Sequence, residues 1–206
     1  MRDAIVQAAR TLQARGLNAG TSGNVSVRDG DAMLITPSAV PAADMTPGSI
    51  VRVSLATGQA EGGKPSSEWP FHRAILRARP DVGAVVHTHP PYGTALAMLR
   101  RPIPAVHYMV ALFGGADVRC APYATFGTEA LAAHAVAALD GRWACLLANH
   151  GALAVADGLD RAVWLAAELE ALARQYCLAL AAGAPVALDG AEMADALQAF
   201  RSYRPA

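Results

Sequence analysis

Three histidines in the sequence have the types and spacing of metal ligands. His87 and His89 directly follow an apolar run at residues 82–86, so the period of two along a strand would point both imidazoles to one face. The two prolines that come next cannot donate to a strand ladder, and they should leave the imidazoles at the mouth of a sheet. His150 follows a second apolar run at residues 143–148. His87 and His89 alone do not decide the question, because both could also lie on a half-exposed strand without any ligand. The presence of a third histidine favours a metal site.

Such a set would support metal-assisted chemistry. A catalytic zinc ion commonly takes three protein ligands and keeps a further position open, so three histidines with a nearby carboxylate suit it. Imidazole ligands also accept Mn²⁺ and Co²⁺, and one divalent ion per chain is expected. Of the remaining three histidines, His107 and His134 are expected to be structural, and His72 is not expected to bind the metal. His72 lies four residues after Glu68, where it would orient the carboxylate or pack beside it.

Small polar residues offer donors for an anion in three places. Residues 20–24 lead into a predicted strand, residues 36–39 follow the second strand of the same hairpin, and Ser66 and Ser67 stand at a predicted helix start. Either serine would be the N-cap, which puts Glu68 in the first turn. Free N–H groups and the helix dipole would attract a phosphate or carboxylate there. The same residues serve turns and caps, and the dipole favours a first-turn glutamate, so a purely structural role stays open.

The elements that must position these groups are helices flanking a central group of strands. We predict helices over residues 3–15, 67–79, 91–99, 129–139, 160–182 and 190–203, and strands over residues 25–27, 33–35, 50–55, 82–86, 103–109, 143–148 and 152–155. This arrangement predicts the α/β (α+β) class, as a three-layer α/β/α sandwich around a mostly antiparallel sheet.

Composition limits the classes of function. The 206 residues predict a single domain over 1–206. Lys+Arg and Asp+Glu both number 17, so the chain has no basic field for nucleic acid or a membrane surface. We find no window of roughly 18 apolar residues for a membrane span, and the N-terminal stretch has the pattern of an amphipathic helix rather than a signal peptide. A cytoplasmic enzyme is expected, and the 3 widely spaced cysteines favour neither a disulfide framework nor a thiolate metal site.

Ordered motifs along nearly the whole chain resemble the class II aldolase/adducin family. From the first helix to about Tyr203 they read GLNAGTSGNVSVR, LITPSAV, KPSSEWPFH, VVHTHPPY, IPAVHYM, CAPYATFGT and NHG. The resemblance implies that zinc is held by His87, His89 and His150, and that Glu68 is the catalytic acid and base. It also implies that the substrate phosphate lies against Asn24, Ser38, Ala39, Ser66 and Ser67.

The activity that the resemblance implies is reversible cleavage of a ketose 1-phosphate to dihydroxyacetone phosphate and an aldehyde. Zinc would take up the negative charge that develops when Glu68 removes a carbon-bound proton. A Schiff base would not be needed, and the one lysine, Lys64, lies in a loop. The resemblance further implies a homotetramer with four-fold cyclic symmetry and sites between subunits. Tyr108 from a neighbour would handle the aldehyde oxygen, and Tyr203 would lie beside the site.

Several features separate this expectation from its alternatives. Ala39 stands where the family loop usually has glycine, and PPY after the HTH motif differs from the sequence we associate with aldolases of this family, so the phosphate or aldehyde could be held differently. Epimerases acting on ribulose phosphate carry aspartate where this chain has Glu68, which favours an aldolase. Dehydratases and decarboxylases of the superfamily share the metal set and remain alternatives. A non-catalytic adducin-like module is disfavoured because the three metal histidines and Glu68 are all present.

Overall fold

The centre of the fold is one eight-stranded sheet, seen in a computed structural model that describes residues 1–200. The strands are β1 (Asn24–Asp29), β2 (Ala32–Ile35), β3 (Val51–Ser54), β4 (Ala60–Glu61), β5 (Ala84–Thr88), β6 (Cys120–Ala121), β7 (Ala144–Leu147) and β8 (Gly151–Ala156). Their order across the sheet is β4-β3-β2-β1-β5-β8-β7-β6. Neighbouring strands are antiparallel except β6 and β7, which are parallel. The predicted mostly antiparallel sheet is therefore confirmed.

Helices cover both faces of this sheet. They are α1 (Arg2–Ala14), α2 (Trp69–Ala78), α3 (Pro91–Met98), α4 (Glu129–Ala138), α5 (Leu159–Ala182) and α6 (Gly190–Phe200). Side chains of β5 alternate between two apolar cores, with Ala84 and Val86 in the core that contains α1, α3 and α5, and Val85 in the core that contains α2 and α4. This alternation follows from the two-residue period of a strand. The two cores give the predicted three layers, with helices on each side of the sheet.

Residues 103–109 do not form the predicted strand. Ile103 makes only an isolated bridge, and Tyr108–Phe113 is a 3₁₀ helix. The prolines on either side of Ile103 lack an N–H, so they cannot sustain a strand ladder. The ring nitrogen Nδ1 of His107 accepts a hydrogen bond from Met109 N at 3.1 Å and caps the 3₁₀ helix. Local proline and capping chemistry thus outweighs the apolar pattern.

The start of α2 also differs from the prediction. The helix begins at Trp69 with Glu68 at the N-cap position, and neither Ser66 nor Ser67 caps it. Ser66 N donates to Thr36 O at 3.0 Å, and this bond holds Ser66 outside the helix, against the neighbouring loop. Its hydroxyl accepts a bond from Glu68 N at 3.3 Å. The Glu68 side chain makes no cap hydrogen bond and is free to face the sheet.

Within residues 1–200, no helix is both long and apolar enough to cross a membrane. The last predicted helix is described as far as Phe200, and Tyr203 lies outside the described residues.

Candidate active site

The three predicted metal histidines meet beside Glu68. His87 lies within β5 and His89 just after it, while His150 occupies the turn between β7 and β8. Nε2 of His87 is 2.9 Å from Nε2 of His89 and 3.1 Å from Oε2 of Glu68. Nε2 of His150 is 2.9 Å from Oε1 of Glu68. One candidate ligand atom from each of the four residues lies within 4.8 Å of all the others.

Backbone contacts set the orientation of the histidines. His87 Nδ1 donates to Ala152 O at 2.9 Å on the neighbouring strand, which leaves the lone pair on its Nε2 directed into the site. His89 N donates to Asn18 Oδ1 at 3.0 Å. Gly151 lies close to the rings of His87 and His89. A Cβ on Gly151 would be 2.8 Å from His89 Cδ2 and would also clash with Thr88 O. The glycine of the NHG motif is therefore required by close packing.

The turn that carries His150 is built around its neighbour Asn149. Asn149 has a φ of 55°, in the left-handed region that asparagine tolerates better than most residues. Its N–H donates to Ala97 O at 2.9 Å, and its Oδ1 accepts a hydrogen bond from Arg100 Nε at 2.8 Å. These contacts tie the turn to the end of α3 and fix the direction of His150.

The donor set fits a divalent cation. Oε1 of Glu68 is buried and has no hydrogen-bond partner within residues 1–200, although His150 Nε2 is 2.9 Å away. Burial, followed by the charges of His87 and His150, lowers the pKa of His89 to about 4, so this imidazole is neutral and able to ligate near neutral pH. Burial alone would raise the pKa of Glu68, but electrostatic attraction from His87 and His150 outweighs it and holds the pKa below its usual range. Three imidazole nitrogens around an ionised carboxylate form a site of the type that zinc prefers.

Two loops that contain predicted phosphate-binding residues face each other beside this site. An isolated bridge joins Pro37 to Pro65, and Ser38 N donates to Lys64 O at 3.0 Å. Ala39 follows with a φ of 57°, a conformation that glycine adopts without strain. The backbone here therefore has a conformation that suits glycine, the residue that the resemblance leads us to expect in place of Ala39. The carbonyl oxygen of Ser67 lies close to Gly127, just before helix α4, because a Cβ on Gly127 would be 2.9 Å from it.

Asn24 contacts Glu68 directly. It is the first residue of β1, opposite His87 in the β1–β5 ladder, and only 6% of it is exposed. Its Nδ2 donates to Glu68 Oε2 at 2.9 Å. In this structure the side-chain amide therefore holds the carboxylate, in addition to the phosphate-binding role that the resemblance implies for Asn24.

The sequence-based prediction missed the aromatic wall of the pocket in front of the metal set. Tyr123, Ala124 and Phe126 line this pocket together with Glu68 and the two histidines His89 and His150. Tyr123 and Phe126 are exposed to 53% and 63%, and because both line one pocket they form an exposed apolar patch of the kind found in ligand-binding grooves. The sequence feature that could have indicated this wall is the pair of aromatic residues in the motif CAPYATFGT, whose other residues are mostly small.

Tyr108 is not brought to this pocket by its own chain. It is 57% exposed and stacks on His107 and Phe200, with ring centroids 4.7 and 6.2 Å apart. It lines a separate, mainly apolar depression on the surface with Met109, Ala196, Ala199 and Phe200. The predicted contribution of Tyr203 lies outside residues 1–200.

Comparison with known proteins places this site in a family. The profile of the Class II Aldolase and Adducin N-terminal domain matches residues 3–177. The chain belongs to the class II aldolase/adducin family. It is 53% identical over 204 residues to the 5-methylthioribulose-1-phosphate/5-deoxyribulose-1-phosphate aldolase of Rhodospirillum rubrum, covering 98% of this chain and 92% of that protein.

Further members of the class II aldolase/adducin family are similar in sequence and in structure. The L-fuculose phosphate aldolase of Escherichia coli K12 is 49% identical over 189 residues, covering 91% of this chain and 88% of that protein. A solved L-fuculose 1-phosphate aldolase superposes with a TM-score of 0.93 at 41% identity, covering 97% of this chain and 95% of the other. The resemblance to the family, the fold class and the aldehyde-lyase class expected from the sequence are confirmed.

Proposed function

We propose that this chain is a metal-dependent aldolase that reversibly cleaves a ketose 1-phosphate, of the L-fuculose 1-phosphate type, to dihydroxyacetone phosphate and an aldehyde. The observation that carries the proposal is the convergence of three histidine Nε2 atoms on the ionised carboxylate of Glu68. That set lies at the end of an aromatic-walled pocket. Sugar-phosphate aldolases among the relatives support the same activity.

The metal set and Glu68 divide the chemistry. Zn²⁺, or Mn²⁺ or Co²⁺ in its place, would be held by His87, His89 and His150 and would supply a Lewis acid for oxygen atoms that gain charge. Glu68 is the base that takes the proton from the carbon next to the carbonyl group, and it returns this proton in the reverse direction. Its Oε2 is held by Asn24, whereas its Oε1 has no hydrogen bond in residues 1–200. We assign the proton transfer to Oε1.

The phosphate is assigned to the small-residue loops beside the site. The predicted phosphate-binding residues lie on two loops and at one strand end. The Pro37–Pro65 bridge joins the loop that carries Ser38 and Ala39 to the loop that carries Ser66 and Ser67, and Asn24 is the first residue of β1. The nearby start of α2 adds the positive end of a helix dipole. These features favour a dianionic group without requiring a cluster of basic side chains.

The aldehyde portion is assigned to the aromatic wall. Tyr123, Ala124 and Phe126 offer mainly apolar surface to whatever extends away from the metal set. An aldehyde with an apolar end is therefore favoured over one with a charged end. The methylthio and deoxy groups named in the substrates of two relatives have this character.

We also propose that the chain works as one domain in a homotetramer with four-fold cyclic symmetry and sites between subunits. The exposed position of Tyr108, away from the pocket of its own chain, supports its donation to a neighbouring site. Tyr203, which lies outside the described residues, is proposed to lie beside the site, as the resemblance implies. A cytoplasmic location belongs to the same proposal, because a charged sugar phosphate does not cross a membrane unaided.

A substrate screen tests the proposed activity. Purified protein loaded with Zn²⁺, Mn²⁺ or Co²⁺ is incubated with L-fuculose 1-phosphate, 5-deoxyribulose 1-phosphate and 5-methylthioribulose 1-phosphate, and release of dihydroxyacetone phosphate is measured. Release that requires metal and is abolished in Glu68→Gln is expected. Epimerisation, dehydration or decarboxylation without release of dihydroxyacetone phosphate would replace the aldolase by one of its alternatives.

A further inference from the structure

A chain of four polar side chains runs from the core to the proposed base. The Ser26 hydroxyl lies 2.7 Å from His72 Nδ1, and His72 Nε2 makes a short hydrogen bond with Asn24 Oδ1. Asn24 Nδ2 then donates to Glu68 Oε2 at 2.9 Å. Ser26 and His72 are fully buried, and Asn24 and Glu68 are 6% and 7% exposed. We call this series of residues, Ser26–His72–Asn24–Glu68, the polar chain.

The direction of every hydrogen bond in the polar chain is fixed by its chemistry. A carboxylate only accepts, so the Asn24 group facing Glu68 must be the amide nitrogen, and the amide oxygen must face His72. His72 must therefore carry its proton on Nε2, which leaves Nδ1 as an acceptor for the Ser26 hydroxyl. Burial, followed by the charge of His87, lowers the pKa of His72 to about 3, so the ring is neutral and has only this one proton to place.

Secondary structure brings the four residues into register. Asn24 and Ser26 are two residues apart on β1 and so project from the same face of the strand. Glu68 and His72 are four residues apart at the start of α2 and so lie one turn apart on one side of the helix. The His72 ring also stacks on Phe71 with a centroid separation of 4.7 Å. A strand pair and a helix pair thus interlock, and the histidine has little freedom to rotate.

We propose that His72 and Ser26 are positioning residues that fix the orientation of the Asn24 amide and thereby hold Glu68 Oε2, so that Oε1 is directed to the substrate. This inference rests on the proposed role of Glu68 as the base. If His72 could not donate, Asn24 Oδ1 would lose its partner, and the amide would be anchored only by its own hydrogen bond to Glu68. Glu68 would move away from its working position while the metal histidines kept theirs.

Four variants separate this role from simple packing. His72→Phe keeps a ring of similar size but removes the donor, and His72→Gln restores an N–H near the position of Nε2. Ser26→Ala removes the donor to Nδ1 and leaves the ring in place. Ile75→Val is the matched control, because Ile75 is fully buried on the same helix and has no part in the polar chain. All are measured as metal-loaded protein.

The first readout is exchange of the carbon-bound proton of dihydroxyacetone phosphate into deuterated water, together with kcat, KM and metal content. His72→Phe is expected to slow exchange and to lower kcat about tenfold to a hundredfold, with KM changed by less than about threefold and full metal content. His72→Gln should recover most of the rate, and Ile75→Val should match the wild type. If His72→Phe does not fold, Ser26→Ala decides, with an expected loss of about threefold to tenfold.

The second readout does not depend on turnover. The ¹⁵N chemical shifts of the His72 ring should show the neutral tautomer with its proton on Nε2. A proton on Nδ1, or an exchange rate in His72→Phe and Ser26→Ala equal to that of Ile75→Val, would overturn the positioning role while leaving the aldolase intact. Absence of both exchange and cleavage in the metal-loaded wild type would overturn the proposed function, and the role of His72 with it.

Discussion

The two oxygens of Glu68 have unlike surroundings, and this difference is the basis of its proposed role. Oε2 receives a hydrogen bond from Asn24 and lies 3.1 Å from His87 Nε2. Oε1 is buried without a hydrogen bond in residues 1–200 and lies 2.9 Å from His150 Nε2. One oxygen is therefore held while the other remains available for proton transfer. A glutamate that merely stabilised the helix dipole would instead point to the free N–H groups of α2.

Glu68→Gln should keep the metal and the fold but lose proton exchange at the carbon next to the carbonyl of dihydroxyacetone phosphate. An amide of the same size cannot act as a base, and general acid–base groups typically contribute about 10²–10⁴-fold. Exchange into deuterated water followed by NMR measures this step alone. Metal content and circular dichroism are the controls, and unchanged exchange would remove Glu68 from the mechanism even if overall turnover fell.

The buried ring of His72 predicts how stability depends on pH. Its pKa is about 3 in the folded protein, mainly because burial disfavours the charged form, and about 6.5 in the unfolded chain. Between these values the unfolded chain binds one more proton than the folded protein, so the free energy of unfolding increases with pH. The stability that neutral His72 contributes is lost as the pH falls through this interval. One proton corresponds to at most about 1.4 kcal/mol per pH unit.

His72→Gln should therefore lose stability less steeply than the wild type between about pH 6 and about pH 4. Urea unfolding of the metal-free proteins at several pH values gives the two slopes, and the absence of metal removes its own proton linkage. His134→Gln is the control, because His134 lies on α4 and is only partly buried. Parallel slopes for wild type and His72→Gln would show that His72 is protonated in the folded state.

At the scale of elements, the sequence predicted the strands of the site better than its loops. The apolar run before His87 and the two-residue spacing to His89 were enough to predict that both imidazoles point to the same side at the end of β5. The start of α2 was wrong, because Ser66 pairs with Thr36 across the sheet edge and this long-range contact has no local signature. The strand expected at residues 103–109 was wrong because the prolines beside Ile103 lack a backbone N–H and His107 caps a 3₁₀ helix.

The turn between β7 and β8 illustrates a requirement visible only in three dimensions. Gly151 does not have a positive φ, yet a Cβ on it would meet His89 Cδ2 at 2.8 Å and lie 3.3 Å from His87 Cε1. The glycine is thus required by the closeness of β5 and β8, not by the conformation of the turn. In the sequence Gly151 appears only as the last residue of the NHG motif, which carries no sign of this close approach.

Gly151→Ala should weaken metal binding by displacing the imidazoles of His87 and His89. Disturbing the groups that orient metal ligands typically costs about 10- to 100-fold in affinity. Competition with a chromophoric chelator measures the dissociation constant directly. Gly158→Ala is a matched control, because a Cβ on Gly158 meets no atom within 4 Å. Equal affinities for the two variants would mean that the site adjusts without moving its ligands.

At the scale of the whole molecule, the strand order explains why distant parts of the sequence meet. β5 lies between β1 and β8, so Asn24 pairs opposite His87 on one side and Leu153, three residues after His150, pairs opposite it on the other. Helix α2 then brings Glu68 over this junction from the face it shares with α4. Layer architecture followed from the sequence pattern, but this order did not, because several antiparallel orders satisfy the same alternation of apolar residues. The family resemblance indicated which residues share the site, but it did not give this strand order.

Tyr108 lies on an exposed surface, outside the pocket of its own chain. Its exposed ring lies on Phe200, in a depression distinct from the pocket of its own chain, and we propose that it reaches the aldehyde oxygen in a neighbouring subunit. Tyr108→Phe should then slow cleavage, because the departing aldehyde oxygen loses its proton partner, while sparing the exchange that Glu68 performs on dihydroxyacetone phosphate alone. Mixing Tyr108→Phe with Glu68→Gln subunits should restore cleavage, since a hybrid contains sites with an intact glutamate from one chain and an intact tyrosine from the next. The control is each variant mixed with itself under the same subunit-exchange conditions. If mass spectrometry demonstrates subunit exchange but cleavage is not restored, Tyr108 acts within its own subunit or lies outside the mechanism.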